Sequence, residues 1–218
     1  MNPSKTPWPT HAIMAQIYEK NLWGGNSSEF YSGEGSHDPA IVHPYIEVVS
    51  SFLKSFDESL IVCDLGCGDF NVGKELVSLT KKYIGVDIVP SLIERNKTLF
   101  HAENLSFQCL DLAKDELPDG DCALVRQVLQ HLPNDEVQKI IQKLSNYQYV
   151  ILTEHLPLED FIPNKDKISS QGIRLKQQSG IDLLAAPFYW NVSASKEMVS
   201  IVLENGKGRI VTTLFKIF

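Results

Sequence analysis

The chain has 218 residues, 43% of them hydrophobic, and a formal net charge of −7 at pH 7. This length and composition suffice to bury one full core, so we expect a single domain over residues 1–218. The acidic balance argues against a broad nucleic-acid-binding face, which needs basic side chains to neutralise phosphates. No apolar run approaches the roughly 20 residues that cross a bilayer, and the N-terminus lacks the apolar core of a signal peptide. We therefore expect a cytoplasmic protein without nucleic-acid or membrane partners.

Residues 1–42 precede the alternating part of the sequence and are interpreted as an N-terminal arm. The segments Gln16–Gly25 and Phe30–Ser36 are rich in aromatic residues and glycines, which is typical of a mobile lid over a ligand. Tyr18 and Trp23 equally suit an arm that is packed permanently on the domain. The two interpretations need similar residues, so both stay open.

The most informative run, Ile61–Asp69, follows a predicted helix over His43–Leu53 and joins a buried-strand pattern to an acid and a glycine turn. Gly66 and Gly68 allow a sharp turn and a close approach to a ligand, because no Cβ is in the way. In dinucleotide sites the same geometry binds a pyrophosphate, which a carboxylate at Asp64 would repel. The acid instead favours a cationic cofactor that has no phosphate.

A second short buried strand, Tyr83–Ile88, follows a predicted helix over residues 71–79. It ends at Asp87, about 20 residues after the glycines, where an acid can hydrogen-bond ribose hydroxyls. Asp87 alone would fit a turn or a helix cap equally well. The pairing with the glycine turn favours the ligand role. Another helix is predicted over residues 91–100.

Two further strands also end in polar residues. Leu105–Leu112 carries Asp111 at its end, and Asp121–Leu132 is a strand flowing into a short helix that carries Gln127 and His131. Ligands bind beyond the carboxyl ends of the strands in open parallel sheets, so these residues are predicted to meet at one edge.

The C-terminal half begins with a helix over residues 134–144, with a predicted N-cap at Asn134. A fifth strand follows over Tyr149–Thr153. Residues 157–179 lack sustained periodicity and predict a long irregular loop. We interpret residues 157–187 as an insertion on the substrate side.

Met198–Leu203 and Arg209–Phe215 have strand character and predict a β-hairpin at the end of the chain. The alternation of strands and helices before it is typical of a doubly wound α/β domain. The four cysteines lie in or next to predicted strands without zinc-like spacing, so they predict buried side chains and no metal site.

The strand and glycine turn resemble the first motif of class I S-adenosylmethionine-dependent methyltransferases, D-x-G-x-G, in their small-molecule type. The resemblance implies a Rossmann-like, seven-stranded doubly wound sheet with an antiparallel last strand, preceded here by a helical arm or lid. It also implies S-adenosyl-L-methionine as cofactor, with Asp87 on the ribose and Asp111 on the adenine amino group. The cofactor-binding residues that the resemblance implies are Asp64, Gly66, Cys67, Gly68, Asp87, Ile88, Asp111, Leu112 and Gln127.

The sulfonium of this cofactor is a strong electrophile, so the protein mainly has to align a nucleophile and exclude water. A base is optional. His131 and His155 are the candidates, because imidazole titrates near neutrality, although either could be a capping or core residue. The basic residues Arg126, Arg174 and Lys176 could meet an anionic substrate or simply be solvated.

The sequence lacks the motifs of several methyltransferase subclasses. The N-P-P-[YF] motif of amino-methylating nucleic-acid enzymes is absent after the fourth strand, where Arg126 to Leu129 stand. We therefore expect a small-molecule acceptor, and we prefer an oxygen atom of a sugar, carboxylate or secondary metabolite as the methylated atom. The main alternative is a non-catalytic module that binds S-adenosylmethionine or S-adenosylhomocysteine, or a partner subunit. An aminopropyltransferase and a nicotinamide-dependent oxidoreductase are weaker alternatives.

Overall fold

A computed structural model describes residues 7–25 and 30–218 of the chain, so residues 1–6 and 26–29 of the expected arm lie outside it. Its centre is a seven-stranded sheet in the order β3-β2-β1-β4-β5-β7-β6. The first five strands are parallel, and β7 lies antiparallel between β5 and β6. The strands are β1 (Ile61–Leu65), β2 (Lys82–Asp87), β3 (Leu105–Cys109), β4 (Cys122–Arg126), β5 (Tyr149–Leu156), β6 (Ala194–Val202) and β7 (Arg209–Lys216). The predicted seven-stranded fold is confirmed.

Within residues 7–25 and 30–218, four α-helices flank the sheet: α1 (Thr10–Glu19), α2 (Pro39–Leu53), α3 (Pro90–Leu99) and α4 (Asn134–Leu144). Successive residues of a strand point to opposite faces, so Val62 and Cys63 enter different hydrophobic layers. One layer includes α1 and α4, and the other includes α2. No helix in the described ranges has the length and apolar character needed to cross a bilayer.

The predicted helix over residues 71–79 is wrong. The chain instead forms two short 3₁₀ turns, Gly73–Glu75 and Val77–Leu79. Gly73 packs so closely on the Phe70 ring that a Cβ would lie 2.5 Å from it and 2.8 Å from the Asp64 carboxylate. A glycine also costs helix stability, and the segment is too short for local propensity to compensate.

The predicted N-cap at Asn134 is also wrong, because Pro133 occupies that position and makes no side-chain cap. Asn134 is the first helical residue. Its backbone N–H donates to Asp166 Oδ1 at 2.8 Å, and its side-chain amide donates to the Asn164 carbonyl at 2.7 Å. The irregular segment after β5 thus supplies the partner for the start of α4, and sequence proximity could not indicate this.

Candidate active site

A cavity of about 540 Å³ lies beyond the carboxyl ends of β1, β2 and β4. Its volume falls within the range of roughly 300–1,000 Å³ that is usual for small-molecule sites. The parallel strands bring the sequence-predicted polar residues to this edge, as their topology requires. The predicted site residues that line the cavity are Asp64, Gly66, Cys67, Gly68, Asp87, Ile88, Asp111, Leu112, Gln127, His131 and His155.

The glycine turn between β1 and the first 3₁₀ turn forms the cavity floor. Gly66 has φ +90° and donates its N–H to the Val86 carbonyl at 2.8 Å. A Cβ at Gly66 would collide with the Val128 side chain, and one at Gly68, φ +55°, would collide with the Ser32 hydroxyl. Glycine is therefore required at both positions by conformation and by space.

Asp87 ends β2 and is only 8% exposed. Its Oδ2 accepts the Gly68 N–H, and its Oδ1 accepts the Val89 N–H, each at 3.1 Å. Burial raises the pKa of Asp87 to about 6, and these backbone hydrogen bonds oppose that rise. Each carboxylate oxygen retains acceptor capacity, so its role in the turn leaves room for ligand hydroxyls.

Asp64 is the next-to-last residue of β1 and is 7% exposed. Its Oδ2 accepts the Tyr83 hydroxyl at 2.9 Å. Burial raises the pKa of Asp64 to about 6, while the Tyr83 hydrogen bond and the nearby Arg126 charge lower it. The Arg126 guanidinium stacks 5.0 Å from the Tyr45 ring centroid. A carboxylate and a guanidinium thus lie near each other in the same cavity.

The predicted adenine end is formed by the segment after β3. Asp111 Oδ1 accepts the Ala113 N–H at 3.0 Å, and its Oδ2 pairs with Lys114 at 2.7 Å. Leu112 is buried, and its carbonyl accepts from Lys143 at 2.9 Å. Both residues line the cavity, but part of the Asp111 carboxylate is already occupied by these contacts.

The N-terminal arm packs across the glycine turn. The Ser32 N–H donates to Asp69 Oδ2, and the Asp69 N–H donates to Ser32 Oγ, both at 2.8 Å. The Tyr18 hydroxyl lies 2.9 Å from Ser32 Oγ, and the Trp23 ring lies 5.3 Å from the His131 ring. The described part of the arm is packed over the cavity in this structure.

The other end of the arm is also held. Thr10, which begins α1, donates its hydroxyl to the Glu136 carboxylate at 2.7 Å and lies 2.5 Å from Ser169 Oγ. Glu136 belongs to α4, and Ser169 belongs to the segment after β5. The arm therefore connects the two walls of the cavity.

A short 3₁₀ turn after β4, Leu129–His131, carries several residues of the cavity wall. Glu154, 2% exposed, accepts the Leu129 N–H at 3.1 Å. Arg174, 1% exposed, donates to three carbonyls of the same region, those of Leu129, Gln130 and Leu132. The suggestion that Arg174 meets a substrate is therefore wrong, because its donors are used in holding this turn. Lys176 does line the cavity.

His131 is buried on the cavity wall. Its Nδ1–H donates to the Ser170 carbonyl at 3.2 Å, which leaves the lone pair on Nε2, 3.3 Å from the Gln130 amide nitrogen. Burial lowers the pKa of His131 to about 4, helped by the Lys167 charge. The imidazole is therefore neutral at pH 7 and only a weak base.

His155 lies at the margin of the cavity. Its Nε2–H donates to the Lys207 carbonyl at 2.6 Å, and its backbone N–H donates to Gln130 Oε1 at 3.0 Å. Burial lowers the pKa of His155. The contact with Lys207 ties β5 to the link between β6 and β7, so this side chain has a structural partner.

Sequence reasoning missed several residues that shape the site. Asp69 directly follows the glycine turn, so its position was a usable signal. Ser32 and Tyr45 come from distant segments and are brought to the site only by the fold. The polar residues that join these segments can be recognised only from their contacts in the structure.

Residues 62–147 match a family described as methyltransferase domain. No curated protein matches the sequence significantly. Among solved structures, the N-methyltransferase NodS from Bradyrhizobium japonicum in complex with S-adenosyl-L-homocysteine has a TM-score of 0.68 at 13% identity, covering 94% of this chain and 98% of that chain.

Magnesium protoporphyrin IX methyltransferase from Synechocystis, with bound S-adenosylmethionine, has a TM-score of 0.57 at 16% identity, covering 98% of this chain and 100% of that chain. Human N-acetylserotonin methyltransferase has a TM-score of 0.52 at 18% identity, covering 91% of this chain and 61% of that chain. These likenesses establish the shared fold. The match to a methyltransferase domain covers the central part of that fold, from β1 to the end of α4.

Proposed function

We propose that the chain binds S-adenosylmethionine in the cavity and transfers its methyl group to a small-molecule acceptor. The observation that carries the proposal is the position of Asp87, which is bonded to the glycine turn and faces a cavity with acids at both neighbouring strand ends. This arrangement suits a ligand that has ribose hydroxyls, a positive charge and no phosphate.

The residues present fit such a cofactor. The glycine turn lets the ligand approach the backbone. Asp64 and Asp87 supply negative charge that attracts its cationic groups. We assign Asp87 to the ribose hydroxyls, Asp64 to the ammonium side, and Asp111 with Leu112 to the adenine. All three structural neighbours named above were solved with S-adenosylhomocysteine or S-adenosylmethionine bound, which supports this choice of cofactor.

The acceptor side is assigned to the wall formed by the arm and by the insertion after β5. Trp23 and His131 lie on that side, and Gln171, Ile173 and Lys176 come from the insertion. Because the arm crosses the cavity, the remaining space suits a small molecule better than a polymer. We accordingly treat residues 1–42 and 157–187 as parts of one methyltransferase domain that shape acceptor specificity.

When bound, the cofactor supplies an electrophilic methyl group. The protein aligns the acceptor atom with it and excludes water, and Trp23 and the arm backbone serve this second purpose. A neutral His131 is able to receive a proton at Nε2, but its low pKa makes it a weak base. An acceptor that is already ionised at pH 7, such as a carboxylate oxygen, needs no stronger base.

The first experiment is calorimetric titration of cofactor-stripped protein with S-adenosylmethionine, S-adenosylhomocysteine and NAD. We expect micromolar binding of the first two and none of NAD. Transfer of a labelled methyl group to a panel of hydroxyl, carboxylate and amine acceptors then tests turnover. Binding without turnover on every acceptor would favour the non-catalytic module, and no binding would overturn the proposal.

A further inference from the structure

Gln130 is a buried residue of the cavity wall, and its carboxamide contacts three places in the fold. Its Oε1 accepts the backbone N–H of His155 on β5 at 3.0 Å. Its Nε2 lies 3.3 Å from His131 Nε2 and 3.4 Å from the Gln127 carbonyl oxygen. The carboxamide thus joins β5, the chain just after β4 and the histidine of the cavity wall.

The backbone fixes the orientation of this amide. A backbone N–H only donates, so the Gln130 atom that faces the His155 N–H is the oxygen, and the amide nitrogen faces His131. The amide nitrogen also only donates, so His131 Nε2 is the ring nitrogen that has the lone pair. The hydrogen is then on Nδ1, where the Ser170 carbonyl accepts it at 3.2 Å. The contacts of both ring nitrogens therefore require the same tautomer.

The charged groups around the ring favour the neutral imidazole. Burial lowers the pKa of His131, and the charges of Lys167 and Arg174 lower it further. Glu154 packs against the same turn, but burial raises its pKa to about 8, so this carboxyl is mostly uncharged at pH 7. None of these three groups draws a proton to Nε2 at pH 7.

We propose that Gln130 is a positioning residue, which holds His131 in the tautomer whose Nε2 lone pair receives the proton of the acceptor. This role deepens the proposed function, on which it rests. The contact of 3.3 Å is longer than the usual range of about 2.7–3.2 Å, and the same amide nitrogen has a second acceptor in the Gln127 carbonyl. A hydrogen of the acceptor can therefore replace the amide at Nε2 while the amide keeps a partner.

The first test identifies the tautomer directly. Protein with isotope-labelled histidine is examined by long-range proton–nitrogen NMR from pH 5 to 8, with and without S-adenosylhomocysteine. The signals of His131 are those that His131→Asn removes. In the wild type we expect a hydrogen on Nδ1 and a lone pair on Nε2 over this whole range. The opposite tautomer, or an imidazolium at pH 7, would overturn the inference.

Gln130→Glu reverses the contact at Nε2. It keeps an oxygen for the His155 N–H but places a second acceptor opposite the ring, and a carboxylate favours a charged imidazole beside it. We expect the pKa of His131 to rise from about 4 to about 6 or above, with hydrogens on both ring nitrogens below that value. Turnover of a methylated acceptor from the panel should then fall about tenfold for each pH unit below the new pKa. Wild-type turnover should lack this limb.

Two further variants separate positioning from charge and from structure. Gln142→Glu, exposed on α4, makes the same change of charge away from the ring and should keep the wild-type tautomer and pH profile. Gln130→Met fills similar space without the amide contacts, and it should lower turnover at every pH without adding a limb. A merely structural role would give Gln130→Glu the profile of Gln130→Met. Affinity for S-adenosylhomocysteine should change less than about twofold in all three variants, which shows that they fold.

The outcomes distinguish this role from the proposed function. If His131 titrates in Gln130→Glu as it does in the wild type, Gln130 does not position the ring. If the NMR spectra change as expected but turnover does not, the lone pair is not used and the inference is wrong. If the wild type binds no S-adenosylhomocysteine, the proposed function fails, although the spectra still show whether Gln130 fixes the tautomer.

Discussion

Ser32 and Asp69 are joined by two reciprocal hydrogen bonds, each 2.8 Å long and each running from a backbone N–H to the other side chain. The pair fixes the arm to the turn that forms the cavity floor. Asp69 also accepts from His37 at 2.6 Å, so one buried carboxylate collects contacts from two places in the N-terminal segment.

The first prediction concerns this pair. Ser32→Ala removes the acceptor of the Asp69 N–H and the partner of the Tyr18 hydroxyl, at a cost of about 1 kcal/mol. We expect faster hydrogen exchange in the arm and faster dissociation of S-adenosylmethionine, measured by mass spectrometry and stopped flow. Ser55→Ala is the control, because that hydroxyl donates to the Phe52 carbonyl at the exposed end of α2. Unchanged exchange in Ser32→Ala would contradict a docking role.

The second prediction tests the proposed ribose contact. Asp87→Asn keeps the shape of the side chain but reduces its acceptor capacity, and the amide nitrogen clashes with a neighbouring N–H donor. We expect cofactor affinity to fall about 10- to 100-fold by calorimetry. Asp57→Asn, on the exposed loop after α2, should bind as the wild type does. Full affinity in both Asp87→Asn and Asp64→Asn would remove the site assignment.

The third prediction follows from burial of these acids. The pKa values of Asp64 and Asp87 are raised to about 6 from an ordinary value of 3.8. The folded state keeps these protons between about pH 4 and 6, so this contribution to the free energy of unfolding falls as pH rises through that window. Cofactor affinity should rise as pH rises through the same window, because an ionised Asp64 attracts the ammonium and an ionised Asp87 accepts from the ribose hydroxyls more strongly.

Two measurements check how stability and cofactor affinity depend on pH. Urea denaturation of ligand-free protein and calorimetry with S-adenosylmethionine are run from pH 5 to 7.5. The doubly substituted Asp64→Asn, Asp87→Asn protein serves as the reference and should lose both contributions. An affinity that stays constant down to pH 5 would show that the carboxylates do not face the cationic ligand.

The fourth prediction concerns Glu154. Burial raises the pKa of this carboxyl to about 8, although the Arg174 charge opposes the rise. Because the folded state holds the proton between the ordinary value of 4.5 and about 8, stability from this group falls as pH rises through that range. Glu154→Gln should remove this slope and exceed the wild type in unfolding free energy at pH 8.5. Glu159→Gln, on the exposed segment after β5, is the control.

The fifth prediction addresses proton transfer. If Nε2 of His131 receives the proton of the acceptor, His131→Asn lowers turnover by about 100-fold or more while cofactor affinity changes less than about twofold. The pH profile should show no limb near 6.5, because the imidazole is already neutral there. His155→Asn breaks the contact with Lys207 instead and should lower stability more than turnover. If His131→Asn turns over as fast as the wild type, His131 is not the base, and the acceptor is one that is already ionised.

The sheet and the acids at its edge were predictable, because a buried parallel strand is a short apolar run, and the acid that follows it lies within a few residues. The same reasoning failed at residues 71–79, where Gly73 is pressed against Phe70 and Asp64. Helical periodicity does not show how closely a segment must approach the sheet.

Long-range polar contacts were not predictable. Arg174 looks like any loop cation in the sequence, yet it is buried and donates to carbonyls more than 40 residues earlier in the chain. The role of Ser32 becomes visible only once the fold places Asp69 opposite it. Such contacts depend on which loops the fold brings together, and a single sequence does not record that.

The arm also has a consequence for the timing of the reaction. Hydrogen bonds between Ser32 and Asp69 and between Arg126 and Ser36 fix the arm to the wall of the cavity. We expect the spent nucleoside to leave only as fast as these contacts open. Turnover would then respond to solvent viscosity, and tighter docking of the arm would slow the enzyme even though it protects the chemistry.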